Sequence, residues 1–476
     1  MNRKDRHRVR AVLFLSLVAL FPTLRGQAQQ DSKTTRHEFT ADQAVEYAMK
    51  NSAQVKNALL DVRLQEETNR EITAAAYPSL NGSIGTTYNP NVATQSFPNF
   101  IAAATYGVLE EEGVKDGNGN TIVSPTDFGF IQAQFGTKYS ANLGLNLHQI
   151  LFDGQVFVGL QARATSIEWS KKNVEITEDL IKANIYKTYY QLLASKTQIE
   201  LLDANIALTD KLLHDTRVMY DNGFAEKLDM DKQQVQLANL QTEKNKALNG
   251  IHNGYLGLKM LMGMPMQDTL VLTDTLSNER IKDGALEMAD YKYTDRPEYE
   301  YASLGKRLNE YNVRRYKLSQ IPTVSLSGSY FKNAQRNKFD FFGKGDWFTI
   351  SSVSLNVSIP IFNGFATRAK IAQAQLDLEK TNNQIDALKL SIDNEVETAR
   401  ENFKSAILTL DYQEKNMKLA EEVYNQTKKK YEIGTGSNTE ITLAQTDLKS
   451  AQTNYINAMY DAIIARVDYL KATGKL

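Results

Sequence analysis

From Leu80 to Tyr88 the even positions read Leu80, Gly82, Ile84, Thr86 and Tyr88, and the odd ones Asn81, Ser83, Gly85 and Thr87. The same two-residue period returns as Tyr139, Ala141, Leu143, Leu145 and Leu147 against Ser140, Asn142, Gly144, Asn146 and His148. It returns twice more, as Val324, Leu326, Gly328 and Tyr330 against serines, and as Val353, Leu355, Val357 and Ile359 against Ser352, Ser354, Asn356 and Ser358. One apolar and one polar face predict four β-strands, at about 79–90, 137–149, 322–332 and 349–360. A soluble sandwich would share the alternation. A water-filled lumen fits the nearly pure Ser, Asn, Gly and Thr face better. Strands of about 11 residues, tilted near 45°, cover about 25 Å of membrane height. Tyr88, Tyr139, Tyr330, Trp347 and Phe348 stand at the outer ends, where an interfacial girdle would lie.

After each strand pair the period changes from two to that of a helix. Short hooks mark the change, Phe152-Asp153-Gly154 and Phe362-Asn363-Gly364. Helical patterns follow over 154–220 and 364–431, without proline and with Gly159 as the sole internal glycine. Each predicts a rod of about 100 Å. On the second rod, Ile371, Leu378, Ile385, Ile392, Ala399 and Ala406 recur at period seven. A second row runs Val396, Phe403, Leu410, Met417, Tyr424 and Tyr431. Two rows give a helix a seam on each side, as a cylinder of helices requires. Turns at Tyr220–Gly223 and Tyr431–Gly434, 211 residues apart, lead into returning helices at 227–262 and 438–471. Ala444, Leu448, Ala451, Tyr455, Ala458, Ala462, Ala465 and Tyr469 predict close antiparallel packing of the last one. The chain is therefore a tandem repeat, 29–263 and 298–476, around an insert at 264–297 in which Leu270-Val271-Leu272 reads as a short strand. The fold class is mainly α with membrane β.

Four strands cannot close a membrane sheet, because open edges would leave unpaired backbone groups in lipid. Chains must pool strands, eight from a dimer or twelve from a trimer. The long link at 90–136 fits an extracellular loop. Within it, Asp116, Asn118, Asn120 and Asp127 loosely resemble a calcium loop, but Thr121 occupies the obligatory glycine position, so no metal is expected. At the N-terminus, Arg3, Lys4, Arg6, Arg8 and Arg10 precede an apolar core from Ala11 to Leu24 and small residues at Gly26 and Ala28. Residues 1–28 read as a signal peptide. They carry six of the 55 Lys/Arg and one of the 56 Asp/Glu, which leaves the rest at −6. That balance points away from nucleic acid. There is no cysteine, and the histidines lack zinc spacing. Phosphate loops, nucleophile elbows and dinucleotide fingerprints are absent too, so neither catalysis nor a cofactor is expected.

Six segments then carry a resemblance over roughly Phe39 to Gly474. They are Ala44-Val45-Glu46-Tyr47-Ala48, Tyr77-Pro78-Ser79-Leu80, Phe152-Asp153-Gly154, Arg296-Pro297-Glu298, Ile359–Gly364 and Tyr431–Thr435. In this order the chain resembles a TolC-family outer-membrane efflux channel. The resemblance implies a homotrimer with four strands per chain in a shared twelve-stranded barrel and a periplasmic helical tunnel. The implied partners are outer-membrane lipid, a periplasmic adaptor and an inner-membrane RND or ABC-type transporter. It also implies an acidic constriction at Glu440, with Asp229 as its counterpart in the first repeat. The family's second acidic position falls on Leu443, so a double acidic ring is not expected. The turn residues Gly223, Gly434, Thr435, Gly436 and Ser437 offer small exposed contacts to an adaptor. The competing expectation is a membrane-anchored coiled-coil structural or adhesive protein without transport.

Overall fold

The computed structural model describes residues 35–276, 291–343 and 345–476. The signal-peptide reading of 1–28 and the centre of the 264–297 insert lie outside the described residues. The chain divides into two units.

The first unit comprises residues up to Ala48 and Thr188–Leu276. Strand β1 (Arg36–Phe39) lies parallel to β6 (Thr269–Leu272). Helix α1 (Ala41–Asn51) starts in this unit, and α5 (Lys227–Met262) lies wholly within it. The β-pair is fastened by two aspartates. Asp268 accepts from the Thr35 backbone at 3.1 Å and pairs with His37 at 3.3 Å, while Asp274 accepts from the Ala41 backbone at 2.8 Å. Tyr189 is fully buried beneath them, donating to the Phe39 carbonyl at 2.9 Å. The alternation-free tetrad Arg36–Phe39 shows no strand signal of its own.

The second unit holds α2 (Ala53–Ala74), β2 (Ser79–Tyr88), β3 (Thr94–Pro98), α3 (Phe100–Glu111), β4 (Phe130–Gln134) and β5 (Tyr139–Phe152). It continues with α6 (Pro297–Leu318), β7 (Thr323–Arg336), β8 (Phe348–Ser358), α7 (Ala366–Glu432) and α8 (Asn438–Ala472). Helix α4 (Gly154–Asp221) begins here and continues into the first unit. Four strands form one antiparallel sheet in the order β2-β5-β7-β8, so the β5–β7 ladder joins the hairpin of one repeat to that of the other.

Gly154 opens α4 where its backbone meets the end of α6; a Cβ there would stand 2.8 Å from Leu318 Cβ. Asp153 caps the helix by accepting from Gln155 N at 2.7 Å. The second hook is built differently, with Gly364 and Phe365 both left-handed, at φ 64° and 65°. Helix α7 runs 67 residues, about 100 Å. It buries Val396, Phe403, Leu410, Tyr424 and Tyr431, and α8 buries Ala444, Leu448, Ala451, Ala458, Ala462 and Tyr469. Small alanines on α8 let the two backbones approach, and Phe403 stacks on Tyr469 with centroids 5.9 Å apart.

The 90–136 link is more than an extracellular loop. Its Gly, Pro and Asn content conceals a β3–β4 ribbon and the twelve-residue helix α3. Asp116 turns inward on its own backbone, accepting from Asn118 N at 2.9 Å and Asn120 N at 2.8 Å. Those bonds hold its carboxyl below the usual value. Among the described residues no His, Cys, Asp and Glu group could hold a metal.

Candidate functional site

The register of the sheet sorts its side chains. Leu80 pairs with Leu147, Ile84 with Leu143, Leu326 with Leu355 and Val324 with Val357, which gathers the aliphatics on one face. Along most of its length the described residues leave that face open: Ile84 is 82 % exposed and Val353 80 %. An uncovered aliphatic sheet suits lipid contact. Toward its outer end lie Tyr88 and Tyr139, stacked at 4.8 Å, and Phe341, which packs with Trp347 over buried Ala141 and Ala334. Of the expected girdle, Tyr88, Tyr139 and Trp347 stand here and Tyr330, opposite Leu145, lies further along the same face, whereas Phe348, opposite Asn333, takes the other face.

The opposite face is hydrogen-bonded side chain to side chain, Ser329 with Ser352 at 2.8 Å and Asn356 Nδ2 with Ser327 Oγ at 3.2 Å. Large apolar residues interrupt it, Ile150 opposite Ser325 at one end and a cluster toward the other. Phe331 pairs across the ladder with Ile350, and Phe348 follows one pleat outward. The Phe331 ring lies directly over Gly144, its partner on β5. Phe331, adjacent to Tyr330, already breaks the alternation in the sequence, and that break was the available signal.

The two hairpin turns share one backbone pattern. Gly223 N bonds to Tyr220 O and Phe224 N to Met219 O; 211 residues on, Gly434 N bonds to Tyr431 O and Thr435 N to Lys430 O. Both glycines are left-handed, at φ 79° and 76°, as a helix C-terminus of this type requires. Gly436 N adds a third bond to Lys430 O at 3.0 Å. Ser437 caps α8, accepting from Glu440 N at 3.2 Å, while the Glu440 carboxylate accepts from Ser437 N at 3.4 Å. This reciprocal box gives Glu440 a local task at an exposed position. Asp229 sits in the first turn of α5, 3.9 Å from Lys232. Gly223 and Asp229 belong to the first unit, and Gly434, Thr435, Gly436, Ser437 and Glu440 to the second.

A polar clamp fixes the start of α6. Arg296 is 4 % exposed. It donates to Glu298 and Glu395 at 3.0 Å each and to the Ala472 carbonyl at 2.8 Å. Burial pushes the Glu298 carboxyl up, but the Arg296 hydrogen bond and charge more than offset it and leave it below the ordinary value. Nearby, the hydroxyls of Tyr291 and Tyr293 both donate to Asp393. That bond, with burial, pushes the Tyr291 hydroxyl up to about 12. Glu298 stands two residues from Arg296, but its other two partners lie 99 and 176 residues away along the chain, so nothing in its neighbourhood announces those.

A bare-edged sheet with one lipid-suited face, joined to helical hairpins in two repeats, matches a known architecture. The family model for outer membrane efflux proteins matches residues 44–264 and 296–475, one block in each repeat. The chain belongs to this family. The outer membrane protein TolC of Vibrio cholerae is 20 % identical over 334 residues, covering 70 % of this chain and 76 % of the relative. The alkaline protease secretion protein AprF of Pseudomonas aeruginosa is 22 % identical, covering 67 % of each. The crystal structure of the CmeC outer membrane channel of Campylobacter jejuni superposes with a TM-score of 0.70 at 16 % identity, over 94 % of this chain and 90 % of that one. This efflux protein is thus an outer-membrane channel protein that extends into the periplasm, from a family of transport channels rather than enzymes. Among the described residues no helix is long and apolar enough to cross a membrane.

Proposed function

We propose that three copies of this efflux protein pool their sheets into a twelve-stranded barrel and conduct solutes passively from a periplasmic adaptor and an inner-membrane RND or ABC-type transporter. The observation that carries this reading is the sheet itself. Its order β2-β5-β7-β8 leaves two edges without backbone partners, and lipid does not tolerate such edges. β2 and β8 run in opposite directions, so the edge of one copy suits the edge of the next as an antiparallel ladder. Twelve strands leave a wide lumen, whereas eight would be filled by side chains. The relatives' names speak of efflux and of protease secretion, and both substrate classes remain within this reading.

In this assembly residues 1–28 direct export and are removed, and the repeats 29–263 and 298–476, linked by the 264–297 insert, build barrel and tunnel. The turns at Gly223 and at Gly434, Thr435, Gly436 and Ser437 meet the adaptor. Glu440, with Asp229 as its counterpart, lines a cation-favouring constriction at the periplasmic end. Native mass spectrometry of the detergent-purified protein should give three copies, and planar-bilayer recording should give discrete conductance steps. A stable monomer, or a trimer without conductance even when the tip is loosened by substitution, would favour the structural anchor instead.

A further inference from the structure

The segment between β2 and β5 has no part in conduction as described. Its helix α3 has no buried residue, and Phe100, Ile101 and Val108 are 59 %, 54 % and 59 % exposed. Isolated helices this short are marginal in water; one side of α3 packs on its own segment, Tyr106 against Phe128 at 5.7 Å, and the open apolar side that carries Ile101 and Val108 suits a further contact. The helix is held firmly at its base. Asn89 N bonds to Lys138 O, carrying the β2–β5 ladder past the Tyr88–Tyr139 pair, and β3–β4 continues it with Phe97 opposite Ile131. Asn99 caps α3 by accepting from Ala102 N at 3.0 Å. The ribbon therefore rises from β2, an edge strand of the sheet.

Strand direction names the neighbour. β2 and β7 run toward the outer end, and β5 and β8 return. In a closed barrel the free edge of β2 needs an antiparallel partner, which is β8 of another copy. β8 starts at the outer end with Phe348, directly after a β7–β8 loop whose Phe342 is 96 % exposed and Phe339 59 %. The inner side of that loop is already committed to its own sheet, through Phe341 to Ala141 and Ala334 and through Phe339, whose ring meets Tyr139 edge-on at 5.8 Å, so Phe342 is the aromatic that faces outward. The chain's own β7–β8 loop lies as near, through the β5–β7 ladder, yet leaves Ile101 and Val108 exposed, while its β8 stands three strand spacings from β2, about 14 Å. Across the seam they are adjacent.

We propose that α3 of one copy packs on the outward Phe342 of the next copy's β7–β8 loop, forming an apolar clamp over each of the three seams at the outer rim. The clamp rests on the closed-barrel reading above.

The chain has no cysteine, so two introduced thiols are the only ones present. Phe342→Cys is combined with Ile101→Cys in one variant and with Val108→Cys in another. Each purified protein is treated with a flexible bis-maleimide of about 10 Å span, roughly the distance between packed elements. The clamp predicts covalent dimers and trimers from at least one double variant and monomers from every single variant. If both double variants stay monomeric on denaturing gels while native mass spectrometry shows trimers, the clamp is wrong and the barrel stands. Cross-linking by Ile101→Cys or Val108→Cys alone would mean that α3 helices meet one another, which also overturns it. Absence of trimers before treatment would remove the barrel and the clamp together. As a second readout, Ile101→Asp with Val108→Asp should lower the temperature at which trimers dissociate in detergent; an unchanged temperature counts against the clamp.

Discussion

Arg296 and Glu440 show how single residues can serve structure at positions where charge suggests function. Arg296 is nearly sealed from solvent, and its guanidinium fork is divided among two carboxylates and a carbonyl. Arg296→Ala should destabilise the chain by about 3 kcal/mol, the low end for a broken buried pair, since both carboxylates keep some solvent access. Arg296→Lys should recover little, because an ammonium cannot reproduce the fork. Thermal unfolding followed by circular dichroism measures both. The same clamp carries a pH signature. The folded value of Glu298 is depressed, so its contribution is complete above its ordinary value of 4.5 and fades as pH falls below that through the lowered folded value. Arg296→Ala should flatten that part of the acid stability profile.

For Glu440, the box with Ser437 and the proposed constriction separate by substitution. Glu440→Gln keeps an amide able to complete the box but removes the charge. It should leave stability nearly unchanged and lower cation selectivity in bilayer recordings. Ser437→Ala should cost about 1 kcal/mol of stability and leave selectivity alone. Equal selectivity in Glu440→Gln and the parent would leave Glu440 as a helix cap only.

At the level of elements, the sheet and the long helices were legible because their periods, two and about 3.5, persist over many residues. The hooks mark where one period gives way to the other. Pairings that depend on distant partners were not legible. Strand β1 is four residues long and finds β6 more than 230 positions away, so neither pattern nor proximity reveals it. Helix α3 is hidden by turn-forming residues on both sides. The site was legible in part. Gly223 and Gly434 announced their turns, but the reciprocal Ser437–Glu440 cap went unread, and the wet face was read as almost wholly small and polar. Phe331, Ile350 and Phe348 contradict that reading, and they place an apolar band on the wall that would line the lumen. Ile350 and Phe348 are 53 % and 61 % exposed, so they project rather than pack. Ile350→Ser with Phe348→Ser should therefore raise single-channel conductance without altering trimer stability. Phe331→Ser should do the former at a cost in stability, because its ring covers Gly144. Unchanged conductance in the double variant would mean that these side chains do not reach the conducting path.

For the molecule as a whole, α7 separates what a single chain satisfies from what it leaves open. Leu410 is fully buried, whereas Leu408, two positions earlier, is 57 % exposed. Tyr412, Leu419 and Val423 continue the exposed row at 68 %, 59 % and 46 %. Spaced by four, seven and four, these four residues form one stripe along the helix. Charged i, i+3 and i, i+4 pairs such as Lys404–Glu401 and Lys418–Glu414 flank it. Exposed pairs of that kind contribute little to stability but keep the rest of the surface wet. A stripe of this kind is what the second seam of a tunnel wall requires, and a neighbouring copy is its predicted cover. The two leucines then predict opposite outcomes. Leu410→Ala should destabilise the α7–α8 hairpin by about 2–5 kcal/mol in any assembly state. Leu408→Lys with Leu419→Lys should leave the fold of one chain intact. It removes about 1.5–3 kcal/mol of burial per leucine at each seam of the assembly. Native mass spectrometry should then find monomers with undiminished helical circular dichroism. Trimers as resistant to detergent as the parent's would show that the stripe is not a seam between copies, and closure would rest on the sheet edges alone.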